Sequence, residues 1–184
     1  MKKFMFFLVI AAFSALSFAQ SGTNPPAASA PPAATSAADR PLPEVLQWTV
    51  GQWEGEGVAH DQHFVARMSV TSELDGTALM ITRESSSKDS TLAGGLKEIM
   101  LIGLDGTTKK VVATLYDNKN RIALYVGELK QNEIDFSLAT APQGYVDRRI
   151  FRQLPDGGLN FVIEGATPGK EVSKGVEINF KKKS

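Results

Sequence analysis

The sequence predicts an all-β fold: an antiparallel up-and-down barrel of about eight to ten strands, with a short N-terminal helix at one end. Three observations lead there. About ten strand-length runs follow residue 50, several of them alternating apolar and polar residues with period two. The gaps between them are hairpin-length. None holds the dozen or more residues that a helical crossover between parallel strands requires. A meander of that length curls and closes, because closure removes its unpaired edges.

The elements follow in chain order. Residues 1–19 read as a secretory signal peptide: Lys2 and Lys3 form the positive start, Phe4 to Phe13 is unbroken apolar, and Ser17-Phe18-Ala19 offers small residues to a signal peptidase. Cleavage is expected after Ala19, which places the protein in the periplasm or outside the cell. The apolar run is shorter than the roughly 20 residues a membrane span needs. Residues 20–42 are rich in Pro, Ala and Ser and nearly without large apolar side chains. Such a segment buries too little surface to offset ordering entropy, so it is expected to be a disordered tether. The barrel domain is assigned to 43–184. Leu42 to Trp48 is expected to form one or two helical turns across a barrel end, with Pro43 at the first position.

Strands are expected over 53–59, 63–74, 78–84, 96–104, 110–116, 121–129, 132–140, 145–154, 159–165 and 172–180. Phe64, Ala66, Met68 and Val70 form one face of the second, and Ile134, Phe136 and Leu138 one face of the seventh. In the last, Val172, Val176, Ile178 and Phe180 are expected on one face. Asp75-Gly76 and Asp105-Gly106 read as tight hairpin turns, since both residue types tolerate positive φ. Ser85 to Gly95 reads as a polar loop. Phe64, Met68, Met80, Met100, Phe136, Phe161 and Phe180 are the candidate fillers of the interior.

Composition sets further bounds. The chain has 184 residues, 20 basic and 20 acidic. Removing the leader takes Lys2 and Lys3 and no acid, so the mature chain carries a net charge of about −2. A nucleic-acid-binding protein would show a basic excess, so no nucleic-acid partner is expected. No cysteine is present, which excludes disulfides, thiolate metal sites and cysteine nucleophiles.

Gly51-x-Trp53, at the start of the first strand of a meander, resembles the calycin superfamily of lipocalins, fatty-acid-binding proteins and nitrobindin-like barrels. The run Val50-Gly51-Gln52-Trp53-Glu54-Gly55-Glu56-Gly57, followed by Leu74-Asp75-Gly76-Thr77-Ala78-Leu79, is similar to bacterial secreted calycin-like proteins of unknown function. The likeness covers roughly residues 44–181. It implies that Trp53 packs at the closed end beneath a basic side chain from a late strand, with Lys181, Lys182 and Arg152 as candidates. Physically, an indole buries about 200 Å² and a cation over its face adds attraction. Nitrobindin-like barrels hold haem through a late histidine. This chain has no histidine after His63, and neither Tyr145 nor Met100 sits in a haem motif, so no cofactor is expected.

Catalytic and metal constellations are sparse. His60-Asp61-x-His63 offers two histidines and one carboxylate in a turn, short of a supported metal site. There is no Gly-x-Ser-x-Gly elbow and no phosphate loop, so the chain is not read as an enzyme. Glu54 and Glu56 share a strand face that is expected to meet solvent. The informative polar cluster is Tyr145 to Arg152. Arg148 and Arg152 alternate with Arg149, so whichever face points inward brings an arginine into the barrel or to its rim. An arginine there needs a partner, because an unpaired buried guanidinium is costly. That partner is an internal carboxylate or an anionic ligand group; the bland reading is a surface pair with Asp147 or the cap over Trp53.

Tyr145, Arg148, Arg149 and Arg152 are therefore the candidate ligand-binding residues, and Gly51 and Trp53 the structural ones. The expected function is binding of a small, largely apolar or amphipathic ligand in the lumen, with an anionic group as a variant. The alternative is a non-catalytic structural or interaction barrel with a filled core. A cavity of several hundred Å³ would mark the first and a packed interior the second.

Overall fold

The computed structural model describes residues 44–59, 61–87, 95–108 and 110–184. The expected leader (1–19), the tether (20–42), the helix start at Leu42 and Pro43, and His60 lie outside the described residues.

Ten strands follow a single helical turn. The turn, α1, spans Glu44–Gln47. The strands are β1 (Gly51–Ala59), β2 (Gln62–Glu73), β3 (Ala78–Ser87), β4 (Leu96–Leu104), β5 (Val111–Asp117), β6 (Ile122–Lys130), β7 (Glu133–Leu138), β8 (Val146–Gln153), β9 (Leu159–Ala166) and β10 (Ser173–Lys182). Each pairs antiparallel with its sequence neighbours, and β1 also pairs with β10, so the sheet closes into an up-and-down barrel.

Period-two alternation sets which side chains fill the interior. On β2, Phe64, Ala66, Met68 and Val70 are buried. From the other strands come Ile81, Met100, Ile102, Leu115, Tyr125, Phe136, Phe151, Phe161, Ile178 and Phe180. Phe151 stacks at a tilt on Phe161, 4.7 Å between centroids, and meets Phe136 edge-on at 6.2 Å. Of the expected fillers only Met80 differs. It is half-buried and lies on the phase of β3 opposite to Leu79 and Ile81.

One end is closed by the N-terminal segment. Leu46 is fully buried in the core. Trp53 is 2% exposed, and its indole N–H donates to the Thr49 carbonyl at 2.8 Å. The ammonium of Lys182 sits 5.4 Å from the indole centroid. This picks one of the three basic candidates. The Lys182 stem passes where a side chain at residue 51 would stand: a Cβ there would lie 2.5 Å from Lys182 Cε. Gly51 also has φ of 142°, a conformation side chains rarely adopt. The Gly-x-Trp step is thus one device, a bare backbone that lets Lys182 reach across to Trp53. Gly57 has a different role. A Cβ there would lie 2.4 Å from the Glu177 carbonyl oxygen and 2.8 Å from Phe64, so its absence lets β1 close against β10.

Besides Met80 and shifts of a residue or two at strand ends, the structure departs from the sequence reading in four places. β3 runs on to Ser87, three residues into the expected polar loop, because Ser85, Ser86 and Ser87 pair with Ala66, Val65 and Phe64. The expected tight turns are wider. Leu74, Asp75 and Gly76 all take positive φ in a four-residue connection between β2 and β3. Asp105 opens a six-residue connection, its carboxylate accepting from the Thr107 and Thr108 N–H groups at 2.8 and 2.7 Å. That local Asx geometry competes with a two-residue hairpin. Finally, Val172 lies outside β10 and is 51% exposed. The ladder skips from Lys174 to Val176, so Gly175 is an extra residue that reverses the alternation upstream of it.

Candidate functional site

The barrel interior holds an unusual group: three charged side chains on the inward phase of their strands. On β3, Arg83 follows Leu79 and Ile81 in phase. On β4, Glu98 precedes Met100 and Ile102 in phase. On β8, Arg149 is in phase with Phe151. Arg83 and Glu98 are 5% exposed and Arg149 is 2% exposed. Arg83 and Glu98 are direct cross-strand partners. Arg83 Nε donates to Glu98 Oε2 at 2.8 Å, and its Nη2 contacts the same oxygen. Arg149 Nη1 lies 3.0 Å from Glu98 Oε1, without the alignment of a hydrogen bond. One carboxylate is therefore shared by two guanidiniums.

The network extends outward. Arg149 Nε donates to the Tyr125 hydroxyl at 3.0 Å, and that hydroxyl donates to Asp147 Oδ2 at 3.1 Å. Arg121, half-exposed in the turn between β5 and β6, reaches Asp147 Oδ2 at 3.4 Å, Glu98 Oε1 at 3.7 Å and Asp117 Oδ2 at 3.3 Å. Formal charge balances across the group: Arg83, Arg121 and Arg149 against Glu98, Asp117 and Asp147. Aromatic faces supply further support. The Arg83 guanidinium lies 4.6 Å from the Phe161 centroid and that of Arg149 5.4 Å from the Tyr125 centroid.

Environment sets the protonation of these groups. Burial works to raise the Glu98 carboxyl, but Arg83 and Arg149 outweigh it and hold its pKa below the ordinary glutamate value. Burial works against the Arg149 charge and is outweighed by Glu98 and Tyr125, so its pKa is raised. At Arg83 burial wins over Glu98 and the pKa is lowered. A guanidinium nonetheless stays ionised in a protein at physiological pH. The Tyr125 phenol is pushed up, first by burial and then by Asp147.

What the arrangement can do chemically follows from its space. Arg83, Glu98 and Arg149 border a cavity with Met68, Ile81, Met100, Leu115, Phe151 and Phe161. That cavity measures about 10 Å³, room for at most one water. A much larger depression, about 910 Å³, lies on the outer wall against Glu54, Arg67, Glu84, Lys97 and Lys181. Its Glu84 and Lys97 adjoin Arg83 and Glu98 in the chain but take the opposite, outward phase, and four of its charges pair: Arg67 with Glu54 at 3.2 Å, Lys97 with Glu84 at 2.8 Å.

The four candidate ligand-binding residues separate. Arg149 alone enters the interior. Arg148 lies on the outer wall between Asp135 and Glu164, and Arg152 pairs there with Glu133 at 2.5 Å. Tyr145 precedes β8 and is 40% exposed. Asp147 pairs with Arg121 and Tyr125. Arg83, Glu98, Tyr125 and Arg121 were not singled out from sequence. The signal for the first two was a charged residue in the apolar phase of its strand. Among the described residues no group of three or more His, Asp or Glu side chains is placed to hold a metal, and His63 is exposed on the outer phase of β2.

No protein-family model matches the chain, and no curated protein matches it. Among solved structures it is similar to one described as the crystal structure of Rv2717c from M. tuberculosis. The identity is 13% and the TM-score 0.54, over 79% of this chain and 100% of that one. At that identity the likeness concerns the barrel fold alone.

Proposed function

We propose that the chain is a secreted or periplasmic, non-catalytic barrel whose interior is its own core and which acts through its outer surface. The observation that carries this is the interior itself. Aromatic and methionine side chains pack into it, and the cavity beside Arg83, Glu98 and Arg149 measures about 10 Å³, against the several hundred Å³ of a ligand pocket. Arg149, from the run that called for either an anionic ligand or an internal carboxylate, faces Glu98, as does Arg83. An anionic guest would have to displace Glu98 and find room that the phenylalanines occupy. A non-catalytic role draws support from the same pairing, since each buried cation is already committed to a carboxylate.

The deciding experiment is native mass spectrometry of the chain purified from its own host, with a thermal-shift panel of lipids and haem. The proposal expects the bare mass of a chain beginning at Gln20 and no shift across the panel. A reproducible co-purified small molecule would sink it and restore the lumen-binding reading.

A further inference from the structure

A barrel without edges can meet a partner only through its ends or its wall. Most of the wall is charged: Glu54 and Arg67 on β1 and β2, Arg148, Arg152 and Glu164 on β8 and β9, Glu177 on β10. The stretch over β4, β5 and β6 is different. Its outward positions are Ile99, Leu101, Tyr116, Ile122 and Leu124, exposed by 48%, 44%, 49%, 70% and 47%.

These side chains are contiguous. Ile99, Tyr116 and Ile122 form one cross-strand row, and Leu101, Thr114 and Leu124 the next. Val112 and Val126, half-buried, extend a third row. No formal charge falls inside these rows. Charges bound them at both ends: Lys97 paired with Glu84 toward one, Glu128 beside Asp135 toward the other. An apolar centre inside a charged rim is the anatomy of a protein interface.

We propose that this face is where a second copy of the chain docks, in a two-fold contact through Thr114. Area and charge decide the occupant. The five exposed side chains offer on the order of 500 Å² of apolar surface, toward the upper end of the roughly 300–600 Å² of a typical monomer's largest patch, which is often functional. With the flanking rows and rim this approaches the roughly 800 Å² per partner of a standard stable interface. A two-fold contact lays each side chain against its own copy or a near neighbour. An uncharged face accepts that arrangement without like-charge repulsion. A membrane belt fits poorly. Three rows span roughly 13 Å along the strands at about 3.3 Å per residue, well below the ~25 Å apolar band of a membrane barrel, which must also run all the way round.

The inference rests on the outward-acting barrel proposed above. Sedimentation velocity of the full chain as purified from cells tests it, up to about 100 µM. Wild type is expected to be dimeric. Leu124→Glu and Ile122→Glu are expected to weaken dimerisation at least tenfold with unchanged circular dichroism, since both positions face outward. A second test uses the absence of cysteine. Thr114→Cys should form an intermolecular disulfide under mild oxidation, whereas Val58→Cys, exposed on β1, should not. A monomeric wild type, or a dimer that Leu124→Glu leaves intact and Thr114→Cys fails to cross-link, would overturn the inference. So would a monomer that binds lipid vesicles or another polypeptide through this face. A monomer with an unliganded lumen rejects only the dimer, and a dimer carrying a lumen ligand rejects only the filled interior.

Discussion

Glu98→Gln isolates what the buried charges are worth. The substitution keeps the shape and removes the carboxylate that contacts both Arg83 and Arg149. These guanidiniums are 5% and 2% exposed, so water cannot replace the lost charge. Breaking a buried pair in this way costs about 3–5 kcal/mol, most of it from the charges left unpaired. With a urea dependence near 2 kcal/mol per molar, the unfolding midpoint should fall by about 2 M. Replacing Arg83, Glu98 and Arg149 together with Met, Leu and Met should be near neutral or stabilising, because desolvation and Coulomb gain largely cancel in such networks. Equilibrium urea unfolding followed by tryptophan fluorescence measures both. A Glu98→Gln midpoint within about 0.3 M of wild type would refute the reasoning. It would mean that the arginines are solvated or partnered elsewhere.

Further outcomes follow from the same geometry. The Glu98 pKa is depressed in the folded state, so its contribution is present above the unfolded value, near 4.3, and is lost as pH falls through the folded value below it. Acid unfolding curves of wild type and Glu98→Gln should therefore begin to converge only once pH falls below about 4.3. Arg148→Ala should cost no more than about 1 kcal/mol, since its ion pairs sit on the partly exposed outer wall; a loss as large as that of Glu98→Gln would place Arg148 in the interior. Gly57→Ala should destabilise by roughly 2–3 kcal/mol through the Glu177 carbonyl and the Phe64 ring, read as a drop in melting temperature. Lys182→Met keeps the stem over Gly51 and loses the charge over Trp53, so it should cost about 0.5–1 kcal/mol in urea unfolding.

Much of the architecture was legible in the sequence because period-two alternation and turn residues report local geometry directly. β4 matches the expected Leu96 to Leu104 at both ends, where the flanking segments are rich in Gly or Asp-Gly. The misjudged places have non-local causes. Ser85 to Ser87 are polar, yet the partner strand β2 recruits them into the ladder. The Gly175 bulge reverses a face that simple counting carries through unchanged.

The buried network was legible only in half. The Tyr145 to Arg152 run advertised itself by density of charge, and reading its alternation brought an arginine into the barrel or to its rim. Its partner came from β4, some 50 residues earlier, where a single Glu98 in an apolar phase looked unremarkable. Which basic residue covers Trp53 was likewise undetermined until the β1–β10 register set Lys182 opposite it. In both cases the sequence specifies the need for a partner and closure of the barrel supplies its identity.

A crystal structure of the chain purified from its own host tests the filled interior most directly. Arg83 and Arg149 are expected both on Glu98, with no more than one water among Met68, Met100, Phe151 and Phe161. Density for a bound molecule there, with Glu98 turned away from its arginines, would contradict it.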